Sequence, residues 1–258
     1  MSRKMIGLAL SGGGARGFAH VGVLNVFAEH KIGFDIITGT SAGSIVGGAL
    51  AAGMSALEIH TMAKRTGYAN LIGPSFSIRG IFSNAPLTKF LGHEFPVDRF
   101  QDLMIPFGAV AFELKAGTEV LQKDGDVITA IRASCAVPGI FVPVVDGDGR
   151  ILVDGGISSP LPAAAARSMG ADVVIAIDVL SCGSTAFASP WTSLGIGARS
   201  VFSLIRTASV SQHHFADLVV EPAIAHLRPD QVRKRDEFIA LGEAAARERI
   251  DEILGLIE

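Results

Sequence analysis

A mostly parallel central sheet with helices on both faces, a three-layer α/β/α fold, is predicted by three features of this sequence. First, short apolar runs alternate with longer helical segments from the N-terminus onward, the rhythm of βα units whose crossover helices cover a parallel sheet. Second, runs such as residues 172–179 are wholly apolar between Asp172 and Asp178, as expected of strands buried on both faces. Third, the glycine-marked turns Gly12-Gly13-Gly14-Ala15-Arg16-Gly17 and Gly39-Thr40-Ser41-Ala42-Gly43 each follow such a run and open a helix.

Each element follows in order. Residues 4–10 read as a buried strand and 15–30 as a helix, then 35–38 as a strand and 41–53 as a second helix. Residues 55–66 form a third helix, with Ser55 as N-cap and Glu58 at the capping-box position. Strands at 106–113 and 118–122 flank the turn Lys115-Ala116-Gly117, a hairpin signal. A short helix covers 124–134, and strands 142–145 and 150–153 flank Asp146-Gly147-Asp148-Gly149 as a second hairpin. Residues 161–169 are helical, and 172–179 and 216–220 are strands. From about residue 230, Phe238, Leu241, Ala245, Ile250 and Leu254 lie roughly on one face, so a long helix is expected to pack on the domain edge. No repeat or linker interrupts the chain, and residues 1–258 read as one domain.

Composition narrows the function. With 49% hydrophobic and only 18% charged residues the chain fills a core and is not disordered. Its net charge is -3, and its one dense basic run, Arg233-Lys234-Arg235, is flanked by Asp230, Asp236 and Glu237. That run is a solvated helix face, so nucleic acid is not an expected partner. Cys135 and Cys182 have neither metal-site nor disulfide spacing, which suits reduced thiols and a cytoplasmic location. The basic start Ser2-Arg3-Lys4 leads into an apolar run too short for a signal peptide. Residues 36–57 carry no charge, yet their many Gly, Ser and Thr residues fit a buried helix behind an active site better than a transmembrane segment.

The chemistry concentrates at Ser41. In G-x-S-x-G after a strand and before a helix, the serine sits on a strained turn that projects its hydroxyl. Gly39 and Gly43 give it room there. The helix N-terminus behind it favours developing negative charge. The loop Gly12 to Gly17 literally satisfies G-x-G-x-x-G, and Asp35 stands near the acidic position of a dinucleotide fingerprint. The same glycines suit an oxyanion hole of backbone N–H groups, or a plain structural turn. No histidine stands in a strand-end loop of the kind that delivers a triad base; His20, inside the first helix, reads as a packing or capping residue. Asp154 does end a strand, before Gly155-Gly156, where it either reaches a serine on a neighbouring strand across the top of a parallel sheet or caps the turn. The charge-free stretch 180–198, with Phe187, Pro190 and Trp191, reads as a packed loop and helix or as a flap over an apolar substrate.

Together, Gly12-Gly13-Gly14-Ala15-Arg16-Gly17, the elbow around Ser41, Ala133 to Phe141 and Asp154-Gly155-Gly156 resemble the patatin-like phospholipase family. The small single-domain bacterial members and the catalytic domain of neuropathy target esterase look most similar. The resemblance spans residues 6 to 222 and implies a Ser–Asp dyad without histidine, with Ser41 as nucleophile and Asp154 as general base. It implies an oxyanion hole built from Gly12, Gly13, Gly14, Ala15 and Arg16, the amides of Gly13, Gly14 and Ala15 donating and Arg16 supporting the loop. The expected substrate is a lipid carboxylic ester such as a phospholipid or lysophospholipid, met in solution or at a membrane surface. No cofactor and no metal is expected. A non-catalytic adaptor on the same fold, binding a lipid or a protein partner, is the alternative.

Overall fold

The computed structural model describes residues 3–183 and 192–257. In chain order the elements are β1 (Ile6–Leu10), α1 (Phe18–Glu29), β2 (Ile36–Thr40), α2 (Ala42–Ala51), α3 (Ala56–Arg65), α4 (Tyr68–Leu71), β3 (Gly73–Pro74), β4 (Phe82–Ser83), α5 (Ala85–Glu94), β5 (Phe107–Glu113), β6 (Thr118–Gln122), α6 (Val127–Ser134), β7 (Val144–Val145), β8 (Ile151–Asp154), α7 (Ala163–Ser168), β9 (Val173–Ile177), α8 (Ser193–Ser211), β10 (Leu218–Val220), α9 (Arg235–Glu248) and α10 (Ile250–Ile257).

Five strands, in the order β10-β9-β1-β2-β5, are parallel. Side chains alternate across them. Leu8, Leu10, Ile37 and Ile177 join the large core beneath α1, α2, α3 and α9, whereas Ala9, Ile36, Val174 and Ala176 pack on the opposite face against Leu161, Ala163 and Ala166 around α7. Helices therefore cover both faces, as the alternating pattern requires. The capping box is present, with Ser55 accepting from the Glu58 amide and Glu58 from the Ser55 amide, and both hairpins form.

The antiparallel part of the sheet decides where the functional residues meet. A strand has two edges. Along one edge of β5 runs β6, from Ala109 to Glu113. The other edge is shared: β2 pairs with Phe107 to Val110, and β8 pairs with Ala111 to Glu113 in the opposite direction. The tips of β2 and β8 therefore meet end to end. Asp154 consequently arrives from an antiparallel strand, and not across the top of a parallel sheet as the sequence reading had it.

Local patterning misplaced other features. The first helix begins with a 3-10 turn over Gly14–Gly17, and α6 starts at Val127, not at residue 124, with Asp126 capping it by accepting from Thr129 N. Residues 68–94 contain α4, β3, β4 and α5, which short segments broken by Gly and Pro conceal. C-terminal to Asp230 a 3-10 turn precedes α9, and a break at Arg249 separates α9 from α10. In α9 and α10 Phe238, Ile239, Gly242, Ala246 and Ile253 are buried, and Leu241, Ala245 and Ile250 of the expected face pack half-buried against the core. α9 lies against α1 so closely that a Cβ on Gly22 would collide with Ile239 O, and one on Gly242 with Ala19 O. Phe187, Pro190 and Trp191, on which the flap reading rested, lie outside the described residues.

Candidate active site

Register brings three loops to one place. Leu10 pairs with Gly39 on one side and with Ile177 on the other. The loop after β1 thus lies between the elbow after β2 and Asp178 after β9. In open α/β sheets this crevice at the strands' carboxyl ends is where ligands bind.

Ser41 follows Thr40, which pairs with Val110, while Asp154 is opposite Ala111. The two residues therefore stand at the junction of the two strand tips. Ser41 takes φ 51° and ψ -124°, a strained conformation for a residue with a Cβ. The glycines beside it are needed for close approach. A Cβ on Gly39 would collide with Gly43 O and Ser44 Cα, and one on Gly43 with Leu10 O. Gly155 is constrained in the same way by Val110 O. Ser134 locks the elbow, its hydroxyl accepting from Ser41 N–H at 2.8 Å and donating to Val110 O at 2.5 Å. Sequence reasoning gave Ser134 no role, although it stands in the block Ala133 to Phe141 that carried part of the resemblance.

Asp154 is 6% exposed. Gly156 N–H donates to its Oδ1 at 2.8 Å. Burial pushes its pKa up to about 6, against the opposing influence of the Ser41 hydroxyl and the Gly156 amide. The Ser41 hydroxyl thus stabilises the charged carboxylate. The free thiol of Cys135 lies beside both groups, and burial, with the Asp154 charge, raises its pKa so that it stays protonated.

Among the described residues no histidine bonds to Ser41 or Asp154. His20 is fully buried, bonds to Ser11 O at 2.8 Å and is lowered by burial to about 4, so it is a neutral packing residue. His213 bonds instead to Asp178.

The glycine loop lies against Ser41: a Cβ on Gly12 would lie 3.2 Å from Ser41 Cβ. One of its three expected donors, the Ala15 amide, is already engaged, which corrects the sequence reading at that position. Gly12 N donates to Pro160 O at 2.8 Å, Ala15 N to Pro229 O at 2.7 Å and Arg16 N to Gly13 O at 3.2 Å. Among the described residues no acceptor meets the amides of Gly13 and Gly14. Both take positive φ, 154° and 59°, which glycine alone adopts without strain. Arg16 is wholly buried, and its guanidinium donates to Leu227 O and Val179 O, tying the loop to two neighbouring segments. Asp35 lies at the other end of the sheet, before β2, where it accepts from Ile6 N and Arg3. A dinucleotide fingerprint needs its acid at the glycine-loop end, so that reading fails.

Residues 8–167 match the family model for patatin-like phospholipases. The chain belongs to this family. A patatin-like relative, the uncharacterized NTE family protein Rv1063c of Mycobacterium tuberculosis, is 39% identical over 69% of this chain and 50% of its own. Patatin-like phospholipase domain-containing protein 7 of Rattus norvegicus is 37% identical over 69% of this chain and 14% of its own. This patatin-like chain thus spans half or less of the length of these relatives. Among solved structures, VipD from Legionella pneumophila superposes with TM-score 0.59 at 13% identity, covering 97% of this chain and 67% of that one. The ExoU–SpcU complex from Pseudomonas aeruginosa gives TM-score 0.52 at 17% identity, covering 97% and 52%. Both likenesses bear on the fold.

Among the described residues no group of three His, Cys, Asp or Glu side chains could hold a metal ion, and no helix is long and apolar enough to cross a membrane. An apolar cleft that reaches Ala42, the residue after Ser41, is lined by helices α1, α2 and α3 and by Gly14 and Ala15 of the glycine loop. Of the described residues in 68–95 and 180–198, Leu71 lines it.

Proposed function

We propose that this chain is a serine acyl hydrolase of lipid carboxylic esters working through Ser41 and Asp154. The supporting observation is the end-to-end meeting of β2 and β8, which sets a strained serine beside a buried carboxylate with no histidine between them. Gly156 occupies Oδ1 of Asp154, leaving Oδ2 to take the serine proton as Ser41 Oγ bonds to the ester carbonyl carbon. The amides of Gly13 and Gly14 hold the resulting oxyanion, each donor supplying about 2.7–4 kcal/mol. Collapse breaks the carbon–alkoxy bond, and the Asp154 proton passes to the leaving alcohol. Water then attacks the acyl-serine, gives its proton to Asp154, and the acid leaves as Ser41 recovers its hydrogen. A pKa near 6 keeps Asp154 ionised, and still basic enough to act, at neutral pH.

The mouth of this site faces a lipid surface. Phe76, Ile78 and Ile81 are exposed in the segment before β4. That segment is joined to residues 140–142 by Phe82 N to Ile140 O and Val142 N to Phe82 O. Ala136, at the start of the same strap, accepts from Asp154 N. Residues 68–92 contain no acid and carry Arg79 and Lys89, a composition that suits an anionic bilayer. Serine at both Phe76 and Ile78 lowers turnover of vesicle phospholipid about tenfold or more while a soluble ester is hydrolysed as before. Equal losses on both substrates would refute surface docking.

The enzymatic reading is tested with a fluorophosphonate probe and a soluble p-nitrophenyl ester. The wild type is labelled at Ser41 alone and hydrolyses the ester, while Ser41→Ala does neither. Binding of lipid without hydrolysis by the wild type would favour the adaptor reading.

A further inference from the structure

Next to the serine elbow the structure holds an apolar cleft of about 80 Å³, bounded by Gly14, Ala42, Ile45, Met62, Ala63 and Leu71 among others. Its only side-chain polar group is the Thr66 hydroxyl, already bonded to Met62 O at 3.0 Å. No charged residue lines it. Its inner wall is α3, where Met62 and Ala63 are buried in the main core. It begins at Ala42, next to Ser41, and at Gly14, whose amide is free. No residue of β5, β8 or α6 lines it, so it runs away from Asp154.

We infer that this cleft is the acyl-chain slot of the hydrolase and that the α3 wall sets the length of chain accepted. The inference rests on the hydrolase reading and deepens it. An acyl carbonyl bound to Ser41 Oγ, with its oxygen on Gly14 N–H, has two substituents to place. The alkoxy oxygen must lie toward Asp154, the group that protonates it on departure. The acyl chain is then left with the opposite side, where an apolar slot without unsatisfied polar groups receives it. The leaving alcohol, carrying any head group, is directed toward the exposed strap at residues 76–82. On the α3 side the slot is closed by Met62 and Ala63.

Each methylene drawn into such a slot is worth about 0.8 kcal/mol, so kcat/KM on p-nitrophenyl esters rises about fourfold per added methylene until the chain reaches the wall, then falls. Ala63→Leu moves the maximum to shorter acyl chains, and Met62→Ala moves it to longer ones. Comparing lengths within each variant removes any overall loss of activity. A binding arm is independent of catalysis: sodium decanoate raises the Tm of Ser41→Ala, and adding Ala63→Leu abolishes that rise while hexanoate still gives one. A maximum that stays fixed in both variants, with esters still hydrolysed, overturns the slot and leaves the hydrolase standing. An enzyme that hydrolyses no ester while decanoate protection still responds to Ala63→Leu overturns the hydrolase reading and leaves an apolar ligand slot. Loss of the length dependence in both arms overturns the inference outright.

Discussion

Asp154 and Asp178 are the same residue type in nearly the same situation, each buried at the carboxyl end of a strand in one sheet. Their carboxylates behave in opposite ways. Asp178 Oδ1 accepts from the amides of Leu180 and Ser181, and its Oδ2 from Ser209 Oγ and His213 Nε2 at 2.8 Å each. Although burial pushes the other way, His213, the Leu180 amide and Ser209 together hold its pKa below the usual carboxylate range. Asp154 has one amide and the Ser41 hydroxyl, and burial wins. Donor count, not burial, separates a clamp from a base. Asp178 fastens β9, the following turn and the end of α8 together. Asp154 is kept under-solvated and ready to accept a proton.

Three perturbations would break or sharpen this contrast. The largest effect is on rate. Asp154→Asn lowers kcat/KM on a soluble ester by about 10⁴-fold, as removing one member of a catalytic set does. Asp178→Asn leaves the pH midpoint of activity in place. The second effect is on stability, and it falls on Asp178. Asp178→Ala strips His213 and two buried amides of their acceptor, costing about 3–5 kcal/mol in chemical denaturation. The pH dependence follows from the signs of the two shifts. The lowered Asp178 pKa contributes stability above the ordinary carboxylate value that is lost as pH falls through the folded pKa. The raised His213 pKa contributes stability below about 6.5 that is lost as pH rises through its own folded value. The clamp is therefore strongest in mildly acidic solution.

The smallest effect has the opposite sign. A carboxyl raised from 3.8 to about 6 opposes folding once ionised, by about 3 kcal/mol above pH 6. Asp154→Asn is therefore more stable than the wild type at pH 8, by up to that amount, and indistinguishable from it at pH 3.5. Matching Tm values at both pH values would show that Asp154 carries no such burden. A site that loses activity while gaining stability is one whose strain serves function.

Features carried by adjacent residues were readable from sequence. Ser55 and Glu58 announce a capping box four residues long, and Gly39 to Gly43 announce a turn that only glycine permits beside Leu10 O. Asp154 could be selected as a candidate because two glycines follow it. What was not readable depends on residues far apart in the chain. The direction of β8 against β5 pairs Ala111 with Asp154, and nothing near either residue encodes that pairing. The loss of Ala15 as a donor arises from Pro229 O, and Gly12 N is held by Pro160 O, both from distant loops. Ser134 and the partnership of His213 with Asp178 were hidden for the same reason, since each joins segments more than thirty residues apart.

The rate of fluorophosphonate labelling at Ser41, followed from pH 4.5 to 8.5 in wild type and Asp154→Asn, tests the central claim most directly. A base with pKa about 6 predicts a wild-type rate that climbs tenfold per pH unit below that value and levels off above it. In Asp154→Asn the labelling rate is lower by orders of magnitude and has no such inflection. Labelling of Asp154→Asn at the wild-type rate, with the inflection retained, would show that another group activates Ser41 and would contradict the account.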